Sequence, residues 1–405
     1  MEEHPTIVVT GLGAVSAWGW GVSLLRRGLK QGRTAIRPFS RFDHTRQRTH
    51  VAGEVPPREG VAPPGETWPR LTFADRFALF AAREALEQAG LAPPVDDAAV
   101  GVYFASSTGG LYESELYLAE WTRCRKSRLA LFASQQLNGP GDALARRLGV
   151  AGPVLTISSA CASGTLALGA ALRDLRDGEI EVAVAGGADS LCQITYSGFN
   201  ALRAVDERPC RPYRRDRGGM SLGEGAGVLV LELEEHALRR GARPLAELRG
   251  AGASCDASHM TAPQPEGEGP ALAMSRALCD AGLEPEDVAF VNVHGTGTPL
   301  NDSAEYRALE RVFSDRASHI PLTATKASVG HLLGAAGAIE AVATVLCLLS
   351  DEVNPSAGEG EVDPALPVDL VRSKPRALGR GAGLSMNLAF GGANAALVFA
   401  RWPSA

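Results

Sequence analysis

One cysteine has neighbours that make it the first candidate nucleophile. Cys161 lies in Ser158-Ser-Ala-Cys-Ala-Ser-Gly164, after the strand-like run Pro153–Ile157 and before a predicted helix that extends to Arg176. A thiol at a helix N-terminus feels the positive end of the helix dipole, which favours the thiolate and lowers the thiol pKa. Backbone N–H groups of the same turn could stabilise an oxyanion. The pattern predicts a reactive thiolate, and the alternative is an inert buried cysteine.

Two histidines lie in turns rich in small residues. His294 lies in Val291-Asn-Val-His-Gly-Thr-Gly-Thr-Pro299, where a short strand enters a turn with two glycines and a proline. His331 lies in Thr325-Lys-Ala-Ser-Val-Gly-His331, just before the predicted helix Leu332–Leu349. A helix N-terminus disfavours the imidazolium, so we expect His331 to be neutral and to donate an N–H. Either histidine could instead be a satisfied polar residue of the fold.

Two further residues are candidates for supporting roles. Lys326 is either an exposed surface charge or half of a structural ion pair with a buried carboxylate such as Glu305 or Glu340. Phe390 precedes two glycines in Phe390-Gly-Gly-Ala-Asn394. Glycines there permit unusual backbone angles and close approach to a ligand. A β-hairpin or bulge would explain the same spacing.

Composition and other motifs argue against several function classes. The chain has 405 residues, 45% of them hydrophobic, and a net charge of −6, which predicts no nucleic-acid binding. Its seven cysteines form no CxxC pair, so we expect no metal site and no disulfide framework. Gly11-Leu-Gly13 lacks the third glycine of a dinucleotide fingerprint because position 16 is serine. We expect no signal peptide and no apolar run of membrane-spanning length, and therefore a cytoplasmic protein.

The predicted strands and helices alternate, which favours an α/β fold. Thr6–Thr10 is a predicted strand that ends at Gly11, and Phe73–Ala89 is a predicted helix. The segments around Cys161 and His331 each contain a tight turn followed by a Leu-Gly-Ala-Ala helix, which hints at duplicated halves. Glycine and proline near 239–244 predict a boundary between domains 1–241 and 242–405. Asp351–Pro367, rich in Gly, Pro and acidic residues, is predicted to be a surface excursion.

Taken together, these segments resemble the β-ketoacyl-acyl-carrier-protein synthase family, and in particular its type II elongating ketosynthases similar to ketoacyl synthase II. The resemblance covers almost the whole chain. Its motifs are Val8-Val-Thr-Gly-Leu-Gly-Ala-Val-Ser16, Ile157-Ser-Ser-Ala-Cys-Ala-Ser-Gly164, Gly218-Gly-Met-Ser-Leu-Gly-Glu-Gly-Ala-Gly-Val-Leu-Val-Leu-Glu232, His259-Met-Thr-Ala-Pro263, His294-Gly-Thr-Gly-Thr-Pro-Leu-Asn-Asp302, and Lys326 through Gly337. The set, in order and at family spacing, is far more specific than any one motif.

The resemblance implies a thiolase-like α/β fold with duplicated halves in five layers, αβαβα, that works as a dimer. It implies that Cys161 takes an acyl chain from an acyl carrier protein. It further implies that His294 and His331 hydrogen-bond the thioester oxygen of malonyl-carrier during decarboxylation, and that the resulting carbanion attacks the acyl group to give a β-ketoacyl product. The resemblance counts Lys326 with the catalytic residues and matches it with Glu305 as a supporting ion pair. Phe390 matches a gatekeeper whose backbone N–H, with that of Cys161, forms an oxyanion hole.

The resemblance also sets the expected partners and alternatives. No cofactor is expected, because the phosphopantetheine arm arrives on the carrier protein. The dimer could be a homodimer or a heterodimer with a ketosynthase-like subunit. The alternatives are a non-elongating, chain-length-determining partner subunit, which would typically lack the nucleophile, and a decarboxylase or acyltransferase that does not condense.

The sequence departs from the family pattern at several positions. Met386-Asn-Leu-Ala389 replaces Asn-Ser-Phe-Gly, so that alanine stands where a glycine frees the gate loop. Arg211-Pro-Tyr-Arg214 and Arg217-Gly-Gly-Met220 replace Arg-Pro-Phe-Asp and Arg-Asp-Gly-Phe. These departures favour a specialised pathway, such as polyketide or polyene synthesis, as an alternative to housekeeping fatty-acid synthesis.

Overall fold

Strands and helices alternate along the described part of the chain, residues 4–58, 71–92 and 99–402 of the computed structural model. The strands are β1 (Ile7–Ser16), β2 (Gly19–Trp20), β3 (Arg37–Pro38), β4 (Val51–Ala52), β5 (Val100–Ala105), β6 (Val154–Ile157), β7 (Val182–Asp189), β8 (Gly225–Leu233), β9 (Ala246–Cys255), β10 (Val288–Asn292), β11 (Pro321–Thr323), β12 (Glu352–Val353), β13 (Asp369–Leu370), β14 (Arg376–Ala377), β15 (Ala382–Leu388) and β16 (Ala393–Ala400). The α-helices are α1 (Val22–Lys30), α2 (Phe73–Ala89), α3 (Leu111–Cys124), α4 (Gly139–Leu148), α5 (Ser163–Arg176), α6 (Gln193–Ala201), α7 (Glu234–Arg239), α8 (Glu268–Ala281), α9 (Pro299–Phe313), α10 (Lys326–Val329) and α11 (Ala336–Ser350). Short 3₁₀ turns cover Leu129–Phe132, Pro285–Asp287, Ser314–Ser318, Leu333–Ala335 and Phe390–Gly392.

The large sheet consists of two halves with the same topology. The first half has the order β6-β5-β7-β8-β1 and the second β11-β10-β15-β16-β9. In each half three parallel strands are followed by two antiparallel ones. β1 and β9 join the halves through two residue pairs. The predicted duplication is therefore visible in the strand order, whereas the predicted boundary at 241/242 stays a prediction.

Helices arrange these strands into five layers. α2 packs on the outer face of β1 and β8, and α8 packs on β9 and β16. α5 and α11 lie between the halves, where they contact each other and strands from both. α11 can occupy this central layer because its residues are buried on every side from Ala336 to Leu348. The order is αβαβα, as the resemblance implies.

The structure gives the first two glycines of the chain a packing role. β1 continues through Gly11 and Gly13, so the prediction that the strand ends at Gly11 is wrong. A Cβ atom at Gly11 would lie 1.9 Å from the carbonyl oxygen of Ala85, and one at Gly13 would lie 1.7 Å from that of Ala81. These glycines let β1 pack directly against α2. The helix itself has the predicted bounds, with a capping box at Thr72 and a left-handed glycine at its end.

Two predictions in the second half need correction. The segment Leu333–Ser350 is long and apolar enough to cross a membrane, contrary to the expectation that no run has this length. Of this segment 89% is buried inside the protein, where it forms the 3₁₀ turn and central helix of the core. The predicted surface excursion Asp351–Pro367 begins in the interior, because Val353–Ala357 is buried. The signal-peptide prediction rests partly on residues 1–3, which lie outside the described residues.

Candidate active site

Three predicted side chains from separate segments meet in one pocket. Cys161 precedes α5, His294 follows β10, and His331 follows α10. One side-chain atom of each residue lies within 4.8 Å of the other two. The two imidazole centroids are 5.4 Å apart, with the rings at 85° to each other. Cys161 is 8% exposed, His294 3% and His331 1%, so the group is almost closed to water.

The turn before α5 presents Cys161. Ala160 has a φ of +44°, which is uncommon for a residue with a side chain. Ser163 supports the turn: its Oγ accepts the N–H of Ser159 at 2.6 Å and donates to the carbonyl of Ala160 at 2.6 Å. Burial raises the pKa of the Cys161 thiol to about 11, although the charge of Lys326 opposes this. The prediction of a low pKa is therefore wrong, because desolvation outweighs the favourable charges, and the sulfur rests as a thiol.

A buried charged network holds His294. Its Nδ1 lies 3.0 Å from Nζ of Lys326 and 3.2 Å from Nδ2 of Asn387. Lys326 donates to Oε1 of Glu340 at 2.6 Å, and Asn387 donates to Oε2 at 2.7 Å. Thr165 Oγ1 donates to Oδ1 of Asn387 at 2.5 Å, which fixes the orientation of the amide. Since Lys326 and Asn387 both donate to Nδ1 of His294, the proton of the neutral imidazole is on Nε2.

Asn387 is a site residue that sequence reasoning missed. It lies on β15 and is fully buried, and it links His294, Glu340 and Thr165. A signal was available: an asparagine inside an apolar strand needs buried hydrogen-bond partners.

The ion pair of Lys326 is formed with Glu340, so the implied pairing with Glu305 is wrong. Glu305 instead shapes the turn that carries His294. It accepts the backbone N–H groups of His294 and of the following glycine at 2.5 and 2.9 Å, and the hydroxyl of Tyr213 at 2.8 Å. Burial raises the pKa of Glu305 to about 7. The carboxylate of Glu305 accepts backbone N–H groups, and Glu340 neutralises the charge of Lys326.

His331 is held by backbone groups. Its Nδ1 accepts the N–H of Leu333 at 3.1 Å, and Leu333 itself has a φ of +52°. The N–H of Gly334 is bound to the buried Asp189 at 2.6 Å, which anchors the same turn to β7. Nε2 of His331 is buried and has no hydrogen-bond partner among the described residues. The ring is therefore fixed through one nitrogen and leaves the other free to donate.

Both imidazoles are neutral. Burial first, and then the charge of Lys326, hold the pKa values of His294 and His331 well below the usual histidine range. The prediction of a neutral His331 agrees with this direction, although burial rather than a helix dipole is the main cause. A thiol and two imidazoles are ligand types that zinc accepts. Here each Nδ1 accepts a hydrogen bond, so each Nε2 bears a proton that a metal would have to displace, and the arrangement suits two N–H donors better.

Phe390 lies beside the thiol in the 3₁₀ turn between β15 and β16. Its backbone N–H lies within hydrogen-bonding reach of Cys161 and favours the thiolate. Its ring centroid is 5.6 Å from that of Phe199. The two glycines that follow have φ values of +84° and +82°. Ala389 has a φ of −130°, which alanine adopts without strain, so the substitution costs nothing in this conformation.

The three central side chains line a cavity of about 270 Å³. Phe199, Met220 and Phe390 supply apolar walls, and Thr296 and Thr298 supply hydroxyls that lie 2.9 Å apart. The lining continues to Leu300, which is 68% exposed, so the cavity opens to solvent. A substrate can therefore reach the thiol from the surface.

Comparison with protein families gives matches to two consecutive domains. Residues 4–237 match the N-terminal domain of beta-ketoacyl synthases, and residues 245–358 match their C-terminal domain. The chain is also 35% identical to a 3-oxoacyl-[acyl-carrier-protein] synthase 2 of Synechocystis sp., with 99% of each chain covered.

Comparison with solved structures also finds ketosynthases. The ishigamide ketosynthase/chain length factor is 33% identical with a TM-score of 0.94, and the match covers 99% of this chain and 100% of that one. A type II polyketide-synthase acyl-carrier protein in complex with its ketosynthase, bound to the hexaketide, matches at 28% identity and a TM-score of 0.90, with 99% and 100% covered.

Proposed function

This chain belongs to the β-ketoacyl synthase family, and from that premise we propose that it condenses a Cys161-bound acyl chain with malonyl-acyl-carrier protein. The observation that carries the proposal is the convergence of the thiol with two neutral imidazoles in a buried pocket. The product is a β-ketoacyl-carrier protein and carbon dioxide. The enzyme is thus an acyltransferase of fatty-acid or type II polyketide or polyene synthesis.

The first step moves the acyl chain to the enzyme. Sγ of Cys161 attacks the carrier thioester, a new S–C bond forms, and the bond to the pantetheine sulfur breaks. The thiol proton ends on that sulfur, so no net charge is created. Backbone N–H groups of Cys161 and Phe390 stabilise the oxyanion of the intermediate. A thiol-to-thioester exchange is nearly balanced in energy, and its attacking form is the thiolate that is in equilibrium with the resting thiol.

The second step makes the nucleophile for condensation. The bond between the carboxylate and Cα of the malonyl group breaks, carbon dioxide leaves, and the electron pair moves onto the thioester as an enolate. The Nε2–H groups of His294 and His331 donate to its oxygen, and their burial makes such donors stronger than they are in water. Both rings must be neutral and correctly oriented, which the contacts to Lys326, Asn387 and Leu333 provide.

The third step forms the carbon–carbon bond. Cα of the enolate attacks the carbonyl carbon of the Cys161 thioester, and the bond from that carbon to Sγ breaks. The departing thiolate takes up one proton and restores the resting enzyme. We propose Cys161, His294 and His331 as catalytic residues, with Lys326, Glu305 and Phe390 in support and Glu340 and Asn387 as further positioning residues.

We propose an acyl carrier protein as the substrate partner and a second ketosynthase-like subunit as the structural partner. Related structures include a ketosynthase with its carrier protein and ketosynthases with chain length factors. The phosphopantetheine arm belongs to the carrier, so the enzyme needs no cofactor of its own. We place the reaction in the cytoplasm and divide the chain into domains 1–241 and 242–405.

Intact-mass spectrometry after incubation with acyl-carrier protein tests the proposal. We expect an acyl adduct on the wild-type chain and none on Cys161→Ala, because the other cysteines lie outside the pocket. Cys279→Ala, at an exposed cysteine on α8, is the matched control and should keep the adduct. An adduct that persists in Cys161→Ala would refute the assigned nucleophile.

Adding malonyl-carrier separates the alternatives. A condensing enzyme gives the β-ketoacyl-carrier product, whereas a decarboxylase gives only acetyl-carrier. A non-elongating partner subunit gives neither by itself. Sedimentation of the purified chain alone and with a candidate partner distinguishes a homodimer from a heterodimer.

A further inference from the structure

A second cavity of about 670 Å³ lies apart from the catalytic pocket and shares no lining residue with it. Its walls come from the loop 358–362, from the segment 368–376 and from Arg214. The lining is mainly polar and contains three arginines, Arg214, Arg372 and Arg376, and two acidic residues, Glu359 and Asp369. Nothing in the proposed condensation uses these residues, so the cavity calls for a separate explanation.

Arg214 is the main feature of this cavity. It is 1% exposed and is among the largest fully buried side chains of the described residues. Its Nη2 donates to the carbonyl of Gly358 at 3.1 Å, but Nε and Nη1 have no hydrogen-bond partner within the described residues. Burial lowers the pKa of the guanidinium to about 10, which leaves it charged at neutral pH. The protein therefore buries a cation with two donor atoms unused.

The nearby carboxylates are engaged elsewhere or exposed, and Glu359 in the lining is itself exposed. Asp369 is bound by Arg376 at 2.8 Å. Asp216 lies 3.0 Å from Arg208 and is about half exposed. Glu361 is 89% exposed and lies 3.7 Å from Arg372. Within residues 4–58, 71–92 and 99–402, none of these carboxylates forms an ion pair with Arg214.

A buried guanidinium without a counter-ion is unfavourable, and its planar donors match the oxygens of phosphate and carboxylate groups. We propose that this cavity binds an oxyanion, and specifically a phosphate group. The guanidinium of Arg214 lies in the cavity wall and attracts the anion through its charge, and Arg372 at the exposed side adds a second positive charge. Arg214 is also one of the positions where the chain departs from its family's pattern.

The site lies next to the scaffold of the catalytic pocket. The preceding residue, Tyr213, has a φ of +61° and donates its hydroxyl to Glu305, the acid that shapes the His294 turn. The phosphate site is nevertheless independent of the condensation chemistry, because the cavity shares no lining residue with the catalytic pocket.

Phosphate binding to the full-length protein tests the site. We would measure thermal melting and isothermal titration calorimetry with inorganic phosphate and with glycerol 3-phosphate, with chloride keeping the ionic strength constant. We expect a saturable rise in Tm with phosphate. Tighter binding of glycerol 3-phosphate would identify the physiological ligand as a phosphate ester, and tighter binding of inorganic phosphate would identify the free ion.

Three variants locate the binding. Arg214→Met should abolish the phosphate-dependent shift, and in phosphate-free buffer it should melt no lower than wild type, because it removes an unpaired buried charge. Arg372→Gln should weaken phosphate binding at least about tenfold. Arg307→Gln, which removes an exposed charge on α9, is the matched control and should bind like wild type.

The proposal fails if chloride at equal ionic strength gives the same rise in Tm as phosphate. It also fails if Arg214→Met or Arg372→Gln binds phosphate as wild type does. Should Arg214→Met not fold, Arg372→Gln decides the matter, since that side chain is 43% exposed and its loss leaves the core intact.

Discussion

The two halves of the protein repeat one strand–turn–helix unit but place different chemical groups in it. In the first half β6 leads through Cys161 into α5, and in the second β11 leads through α10 and His331 into α11. Each turn contains one residue with a side chain and a positive φ, Ala160 in the first and Leu333 in the second. The first unit carries an uncharged nucleophile. The second carries an imidazole and a buried lysine, so the repeated unit holds different chemical groups in the two halves.

The outer edges of the halves differ as well. β11 is covered by the short strand β13. β6 pairs only with β5 among the described strands, and Val154 and Leu155 on it are 42% and 39% exposed. An uncovered strand with apolar side chains is a ready surface for pairing with another chain. This edge is where we place the partner subunit proposed above.

The largest expected effect concerns the charge that only the second unit contains. Lys326→Met leaves Glu340 buried without its cation, and we expect a loss of about 3–5 kcal/mol in the free energy of unfolding. Urea denaturation followed by circular dichroism measures this. The double variant Lys326→Met, Glu340→Met should recover most of the loss, because it removes both charges. A single variant as stable as wild type would contradict the buried pair.

A smaller effect separates the tasks of the two units. His331→Ala removes one donor to the enolate oxygen, and we expect malonyl decarboxylation to fall about 10²–10³-fold. Carbon dioxide release from malonyl-carrier measures this rate. The acyl adduct on Cys161 should still form, because the first step uses Cys161 and the backbone N–H of Phe390 and not His331. Near-normal decarboxylation in this variant would remove His331 from the mechanism.

The smallest effect concerns the resting state of the first unit. Because burial raises the pKa of Cys161 to about 11, only a small fraction is thiolate at pH 7. The rate of alkylation by iodoacetamide should therefore climb steadily with pH and should not level off below about pH 10. Mass spectrometry of the Cys161 peptide follows this rate, with Cys161→Ala as the blank. A plateau near pH 7 would show that the helix terminus outweighs desolvation after all.

Much of the site could be found from the sequence because its residues lie in turns with distinctive small neighbours. Cys161, His294, His331 and Lys326 do lie together, and α2 has its predicted bounds. Contacts between distant segments could not be predicted in this way. Glu305 and Glu340 are both buried acids, on α9 and α11 respectively. Which of them pairs with the lysine depends on how these two helices approach the pocket, and that is decided by tertiary packing.

Energetic properties were harder still to predict. The pKa of Cys161 depends on burial by the whole core, whereas the local turn suggested the opposite direction. Gly11 and Gly13 belong inside a strand because α2 packs on them, which no local pattern indicates. Sequence motifs thus identified the groups, and tertiary packing determined their ionisation and partners.

The contact between the two central helices makes the spacing of the reacting groups a property of the core. A Cβ atom at Gly164, at the start of α5, would lie 2.6 Å from the backbone nitrogen of Ala338 on α11. Cys161 lies just before the first of these helices, and His331 lies in the segment that leads into the second. A single methyl group at this crossing would push the two helices apart and increase the distance between Cys161 and His331, although it would touch neither residue.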